Sequence, residues 1–351
     1  MFVNPTIKQL AACIEQVDEE TYASIEPVEE KEYYPVSSAQ RRVYVLNQLE
    51  QVSTSYNLPR VIKVNGGLNQ PRFEEAINKL LDRHETLRTS FHSIEGEIVQ
   101  KVHHNIDFKI SHLKSEEDEI SKVVQDFIQP FNLAKAPLIR VGLITISETE
   151  HVLLFDTHHI VSDGTSMDIL VRDFVNIYHG EEMPELTVQY KDFAEWQNEL
   201  VETGVMEKQE EFWLETFSGT IPVLDMPTDY PRPSIQSFEG SKYSFEIDSQ
   251  LTEELKELAR KNGTTLFMVF LASYNILLSK YSGQEDVVVG SPIAGRSHVD
   301  IQNVIGMFIN TLAMRNYPES DKTFKEFLNE VRQNALAAYE NQDYQFEKLV
   351  K

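Results

Sequence analysis

"PLIRVGLITISETEHVLLFDTHHIVSDGTS", residues 137–166, is the stretch on which the fold turns. Two apolar runs, 137–147 and 150–159, are joined by a short polar link. Runs apolar on both faces suit strands covered on both sides, so they predict a β-hairpin in a central sheet. "TSMDILVRDFVNIYHG" (165–180) follows, with Met167, Leu170, Val171, Phe174, Ile177 and Tyr178 at helical spacing and Gly180 as the stop. Between hairpin and helix stand two adjacent histidines, His158 and His159, and the pair Asp163-Gly164.

Neighbouring side chains on a strand point to opposite faces, so His158 and His159 do not easily chelate one metal together. A metal reading needs His159 with Asp163 and further ligands, and no second His/Cys cluster stands at ligand spacing, so no metal is expected. One histidine at a strand end can instead face a cleft. An imidazole titrates near neutral pH and is suited to moving a proton there. Asp163 either orients that imidazole or pairs with an arginine to hold the loop. Gly164 lets the backbone approach a substrate. From this stretch alone, catalysis and structure both remain open.

Working outward, "SSAQRRVYVLNQLE" (37–50) reads as a capped helix, "LPRVIKVNG" (58–66) as a strand, and "QPRFEEAINKLLDRHETLRTSF" (70–91) as a helix passing into a strand. "EIVQKVHH" is a further strand and "EDEISKVVQDFIQPF" a helix. His84 is expected in a structural hydrogen bond. A long Pro-rich, aromatic connection then runs from residue 182 to Pro227, Pro231 and Pro233, with one helix around "KQEEFWLETF". Trp196 and Trp213 are expected to pack it. A second α/β pattern follows: strands at "SKYSFEID", 286–296 and 305–316, and helices at "SQLTEELKELARKNG", 265–283 and 323–342. Two α/β lobes are expected.

The chain has 351 residues, 41% hydrophobic and 25% charged, ordinary for a globular protein too long for one small core. Its 32 basic and 56 acidic residues give a net charge of −24, which argues against a phosphate-backbone partner such as nucleic acid. No apolar run suits a membrane span, and the N-terminus lacks a signal-peptide pattern. A single cysteine, Cys13, fits a reducing cytoplasm. "NPTIKQLAACIE" starts like a helix with Asn4 and Pro5, and an acidic stretch at 16–33 reads as a linker.

"HHIVSDG" (158–164) matches the HHxxxDG signature of the condensation-domain superfamily, related in fold to chloramphenicol acetyltransferase. Six further segments resemble that family in order: "SSAQRRVYVL" (37–46), "RHETLRTSF" (83–91), "YKDFAEWQ" (190–197), "GSPIAGR" (290–296), "IGMFINTLAMR" (305–315) and "NQDYQFEKLV" (341–350). The resemblance covers 33–351 and is to condensation domains of non-ribosomal peptide synthetases, in particular the type accepting an L-configured donor. It implies two chloramphenicol-acetyltransferase-like lobes in a V shape with an active-site tunnel between them: 34–197 an N-terminal lobe, 198–237 the connection, 238–351 a C-terminal lobe. Residues 1–15 resemble the last helix of an upstream peptidyl carrier domain.

The resemblance implies amide formation between a donor aminoacyl or peptidyl thioester and the amine of an acceptor aminoacyl thioester, as in antibiotic biosynthesis. No cofactor is bound directly; phosphopantetheine arms arrive on upstream and downstream carrier domains, with an adenylation domain adjacent. His159 is implied as general base or amine-positioning group, with His158 as its structural support. Asp163 is implied as structural, paired with Arg296 of "SPIAGR". Gly164 N–H is a candidate oxyanion contact, and Arg296 and Asn310 of "MFINT" are candidate tunnel positions, Asn310 equally readable as a polar strand end. The sixth segment departs from the family pattern, with Asn341-Gln342 for His-Gln and Gln345 for proline. The chain stops at Lys351, short of a further family motif, so the C-terminal lobe is expected to be incomplete. Two other readings stay open: an epimerase-type relative using the same signature, and a non-catalytic carrier-docking fragment.

Overall fold

In a computed structural model, the described residues are 24–49, 53–115, 117–234 and 240–350, with the isolated positions 6 and 8. The expected N-terminal carrier helix and Cys13 lie outside them. Among the described residues no helix is long and apolar enough to cross a membrane.

The first lobe runs β1 (Tyr34–Pro35), α1 (Ser38–Leu49), β2 (Asn57–Asn65), α2 (Gln70–Arg83), β3 (Thr89–Ile94), β4 (Glu97–Val102), β5 (Ser111–Lys114), α3 (Ile120–Phe127), β6 (Ile139–Thr145), β7 (Glu150–His158) and α4 (Gly164–His179). The 137–159 hairpin forms as expected: β6 and β7 pair antiparallel, with Val141 opposite Phe155 and Leu143 opposite Leu153. They are the inner strands of a four-stranded sheet ordered β2-β7-β6-β5. One face of the hairpin packs Val141, Leu143, Leu153 and Phe155 under α2 and α4, against Phe73, Ile77, Leu170 and Phe174. The other buries Ile144, Val152 and Leu154 beneath Val123, Val124 and Phe127 of α3. Cover on both faces is why apolar residues occupy both sides of the hairpin over 141–144 and 152–155. Asn69 caps α2, accepting from Arg72 N, and Asp163 caps α4, accepting from Ser166 N at 2.7 Å. Gly180, at φ 81°, ends α4 in the left-handed conformation that glycine adopts without penalty.

The connection contains two helices, α5 (Tyr190–Glu202) and α6 (Glu207–Thr216), where the sequence predicted one. The signal missed is a capping box. The Gln189 side chain accepts from the Asp192 backbone, and Asp192 Oδ2 accepts from Gln189 N at 2.6 Å. Trp213 on α6 is buried in the second lobe and donates from Nε1 to Asn341 O at 2.8 Å.

That lobe comprises α7 (Ser249–Lys261), α8 (Leu266–Ser282), β8 (Val287–Ile293), β9 (Asn310–Asn316), α9 (Phe324–Glu340) and α10 (Phe346–Leu349). Its sheet has two antiparallel strands, β8 and β9, covered by Met268, Val269 and Ala272 of α8 and by Phe327, Leu328 and Val331 of α9. Two expectations fail. "SKYSFEID" forms no strand: Tyr243 and Phe245 are exposed, and no ladder reaches them among the described residues. The strand expected over 305–316 starts only at Asn310, because the backbone before it bonds to the first lobe instead. Gly306 carbonyl and amide both meet Ser166 Oγ, and Phe308 N donates to Asp163.

The stretch read as an acidic linker is in part a packed segment. Ile25 is buried, and residues 28–32 bond along the first lobe, with Val28 N donating to Asp192 Oδ1 at 3.0 Å and Lys101 pairing with Glu32 at 2.9 Å.

Candidate active site at the seam of the lobes

The two histidines part where the strand ends. His158 is the last residue of β7, and His159 opens a single 3₁₀ turn over residues 159–161. The His158 side chain turns inward and is 1% exposed, between the rings of Tyr56 and Phe131. Its Nδ1 accepts from Ile160 N at 3.1 Å, and its Nε2 stands 3.5 Å from the Asn47 amide. Burial, with repulsion from His159, pushes the His158 pKa down to about 3. The ring is therefore neutral near pH 7, and its hydrogen bond to Ile160 shapes the turn that carries His159.

His159 is half-buried. Its backbone N donates to Tyr56 O at 2.7 Å, and its Nδ1 lies 2.9 Å from Ser162 O. A carbonyl only accepts, so the contact calls for the proton on Nδ1, which in the neutral ring leaves Nε2 as the acceptor. The contact also fixes the ring plane. An imidazole so held can take a proton at Nε2.

Asp163 follows, 1% exposed. Its Oδ1 accepts from Ser166 N, and its Oδ2 accepts from Phe308 N at 3.0 Å across the seam. Arg296 Nη2 lies 3.5 Å from Oδ1, longer than its bond to Ser166 Oγ at 2.7 Å. Arg296 Nη1 also donates to Ile301 O and Val304 O, at 2.6 and 2.8 Å, and the guanidinium lies over the Phe308 ring at 4.1 Å. Backbone amides thus hold Asp163 more closely than Arg296 does. Both Asp163 oxygens are thus engaged by the backbone of the turn and of the second lobe. The Arg296 side chain is 4% exposed and lies in the seam.

Gly164 is the first residue of α4 and exposed; an amide there has no intrahelical acceptor and sits at the positive end of the helix. One turn therefore offers a proton acceptor and a helix N-terminus facing solvent.

Asn310 stands at the strand end that one of its two readings gave it, and it also lines a small cavity with Phe193, Trp196 and Phe308. Buried at the start of β9, its Nδ2 donates to Gln342 O and Tyr344 O, both at 2.9 Å, and its Oδ1 accepts from Phe346 N and Thr311 N. It fastens the segment around 342–346 to the sheet. His84 bonds Asp173 at 3.0 Å inside the first lobe, the structural partnership expected of it.

Sequence reasoning missed three residues that hold the turn. Ser166 Oγ donates to Gly306 O at 2.7 Å while accepting from Gly306 N and Arg296. Tyr190 bonds Met307 O and Ser37 Oγ through its buried hydroxyl. Its ring lies so close to Gly306 that a Cβ there would meet Cδ2 at 1.8 Å. Gly295, at φ 61°, lies against the Phe308 carbonyl. Ser166 and Tyr190 both stand inside quoted motifs; nothing local marks them as touching 306–307.

Two α/β lobes, joined at this turn, define a protein with the chloramphenicol-acetyltransferase-like fold. A family profile described as the condensation domain matches residues 30–351, and the chain belongs to that family. It is 52% identical over 351 residues to gramicidin S synthase 2 of Brevibacillus brevis and 51% identical to tyrocidine synthase 3 of Brevibacillus parabrevis. All of this chain is covered in both matches, but only 8% and 5% of those relatives, so it spans a small part of their length. Among solved structures, the X-domain from teicoplanin biosynthesis superposes with TM-score 0.86 at 26% identity, over 93% of this chain and 75% of that one. A four-domain nonribosomal peptide synthetase bound to AMP and glycine superposes with TM-score 0.83 at 24% identity, over 94% of this chain and 26% of that one, a likeness of fold.

Proposed function

We propose that this chain catalyses peptide-bond formation between two carrier-bound thioesters in non-ribosomal peptide synthesis. The observation that carries the reading is His159, its Nδ1 held by Ser162 O at 2.9 Å, five positions before the first residue of α4. The acceptor amine nitrogen attacks the donor thioester carbonyl, forming the C–N bond. The proton leaving that nitrogen goes to His159 Nε2. The C–S bond breaks, and the departing thiolate takes that proton from the His159 imidazolium, becoming the free thiol of the donor arm and returning the ring to its starting state. Gly164 N–H faces the carbonyl oxygen as charge develops on it. Thioesters are already activated, so positioning the two reactants and removing one proton account for the catalysis without a covalent enzyme intermediate.

The substrates arrive on phosphopantetheine arms of upstream and downstream carrier domains, the arm being part of the substrate, with an adenylation domain adjacent. Residues 1–15 belong to the preceding carrier, and the arms meet in a tunnel between the lobes. The donor is L-configured and the setting is cytoplasmic. Relatives that are synthetases of gramicidin S and tyrocidine support this reading.

The test is aminolysis between a donor-loaded and an acceptor-loaded carrier, followed by mass spectrometry of the carriers. His159→Ala lowers turnover by about 100- to 10,000-fold, the range of a lost proton-transfer group, with melting unchanged. Wild-type turnover in that variant removes His159 from the mechanism.

A further inference from the structure

We infer that the segment entering the fold at Ile25 is a strap that positions the His159 turn, with Ile25 as its anchoring side chain. The inference rests on the proposed amide-forming reaction only for its kinetic arm.

Ile25 is 3% exposed, while its neighbours Ser24, Glu26 and Pro27 face solvent. Ile25 is thus the one fully buried side chain of residues 24–30. It packs into a cluster drawn from both sides of the seam: Val188, Tyr190, Phe193 and Ala194, and Ile301, Val304 and Phe308. Polar contacts pin the strap on the same two sides. Ile25 N donates to Asp300 Oδ2 at 3.2 Å, beside Ile301. Val28 N donates to Asp192 Oδ1, the carboxylate whose other oxygen closes the α5 capping box.

Phe308 links this cluster to the candidate active site. Its ring lies 4.8 Å from Tyr190 and 4.7 Å from Phe193, and its other surroundings include the Arg296 guanidinium. Its backbone N–H holds Asp163 Oδ2, and Asp163 caps the helix whose first residue is Gly164, five positions after His159. The loop over 304–308 is therefore gripped from one side by Asp163 and Ser166 and from the other by the cluster that Ile25 completes. Apolar packing has discrete solutions rather than a continuum, so removing Ile25 lets Phe308 move into the vacated space. Its amide then lengthens away from Asp163, and the turn bearing His159 loses its fixed orientation. Ile25 touches no reacting atom; it is a positioning residue.

Ile25→Ala and Ile25→Val are compared in the full chain, with Asp300→Ala as a milder variant that removes the acceptor for the strap together with the Asp300–His298 contact at 3.4 Å. Ile25→Ala is expected to lower kcat about tenfold, with KM for both loaded carriers within about twofold, and Ile25→Val to restore it. In hydrogen exchange, Gly306 and Phe308 amides exchange about tenfold faster in Ile25→Ala, while Leu143 and Leu153 in the central hairpin keep their protection. Asp300→Ala shifts the same amides by less. Unchanged exchange at 306–308 overturns the proposal, as does a rise of equal size throughout both lobes, which marks general destabilisation. An unchanged kcat with faster exchange at 306–308 also overturns it, since the strap then positions nothing that matters to turnover. If the wild-type chain itself performs no aminolysis, the functional reading fails, and the exchange experiment still decides whether the strap holds the loop.

Discussion

The two lobes solve the same packing problem to different degrees. The first has a four-stranded sheet with helices on both faces of its inner hairpin, and Leu143, Val152 and Leu154 are nearly inaccessible. The second has two strands and two long helices, and α8 leaves Phe267, Phe270, Tyr274, Leu277 and Tyr281 at least 39% exposed along one side. A two-stranded sheet is marginal alone and depends on what packs against it. The comparison teaches that the first lobe is a finished scaffold for the His159 turn. The second contributes chiefly the loop over 304–308 that closes on it.

If the seam joins unequal halves through Asp163, removing that carboxylate has the largest effect. Asp163→Ala leaves Arg296 buried without its charge partner and α4 without its cap, and is expected to cost about 3–5 kcal/mol in denaturant melts. A loss below about 1 kcal/mol would show the seam to be indifferent to it. The lobes themselves are compared by Leu143→Ala and Leu328→Ala, both at fully buried leucines. The first is expected near about 4 kcal/mol and the second near about 2 kcal/mol, because a less constrained lobe collapses further around the cavity. Equal costs break the comparison. Asn310→Ala strands the carbonyls of Gln342 and Tyr344 and is expected to cost about 1–3 kcal/mol, with proteolysis near 342–346 as a second readout.

Acid gives a smaller, graded test. His158 is held near 3 when folded, and burial also lowers the pKa of His84, whereas an unfolded histidine titrates near 6.5. Above that value both states are neutral and the histidines contribute no pH dependence. Below it the unfolded chain binds protons that the folded chain refuses. Stability is then lost as pH falls, by up to about 1.4 kcal/mol per pH unit for each histidine. Both belong to the first lobe, so His158→Gln is expected to flatten the decline between pH 6.5 and 5. An unchanged slope would place the acid sensitivity elsewhere.

Much of this was legible in the sequence because it is periodic. The hairpin, α4 with Gly180 as its stop, and the long helices of the second lobe follow from residue types repeating along the chain. The division of His158 from His159 followed from strand alternation, although His159 turned out to stand just beyond the strand. The failures share a cause. "SKYSFEID" alternates like a strand and forms none, since a strand also needs a neighbour. Residues 305–309 are apolar enough for β9, but their backbone bonds went to Ser166 and Asp163. Asn310 is the polar strand end that the sequence allowed, but its partners at 342–346 were not legible.

By itself the sequence determined the inner hairpin, the helix after it and the order of motifs that marks the condensation-domain family, because each is written in short-range spacing of residue types. Only the tertiary structure decided that Asp163 is held mainly by the amides of Ser166 and Phe308, that Tyr190 lies on Gly306, and that a residue in an acidic stretch, Ile25, closes the seam. Those pairings join positions more than a hundred residues apart, apart from the Ser166 cap, and their energies come from burial and geometry that exist only once both lobes are in place.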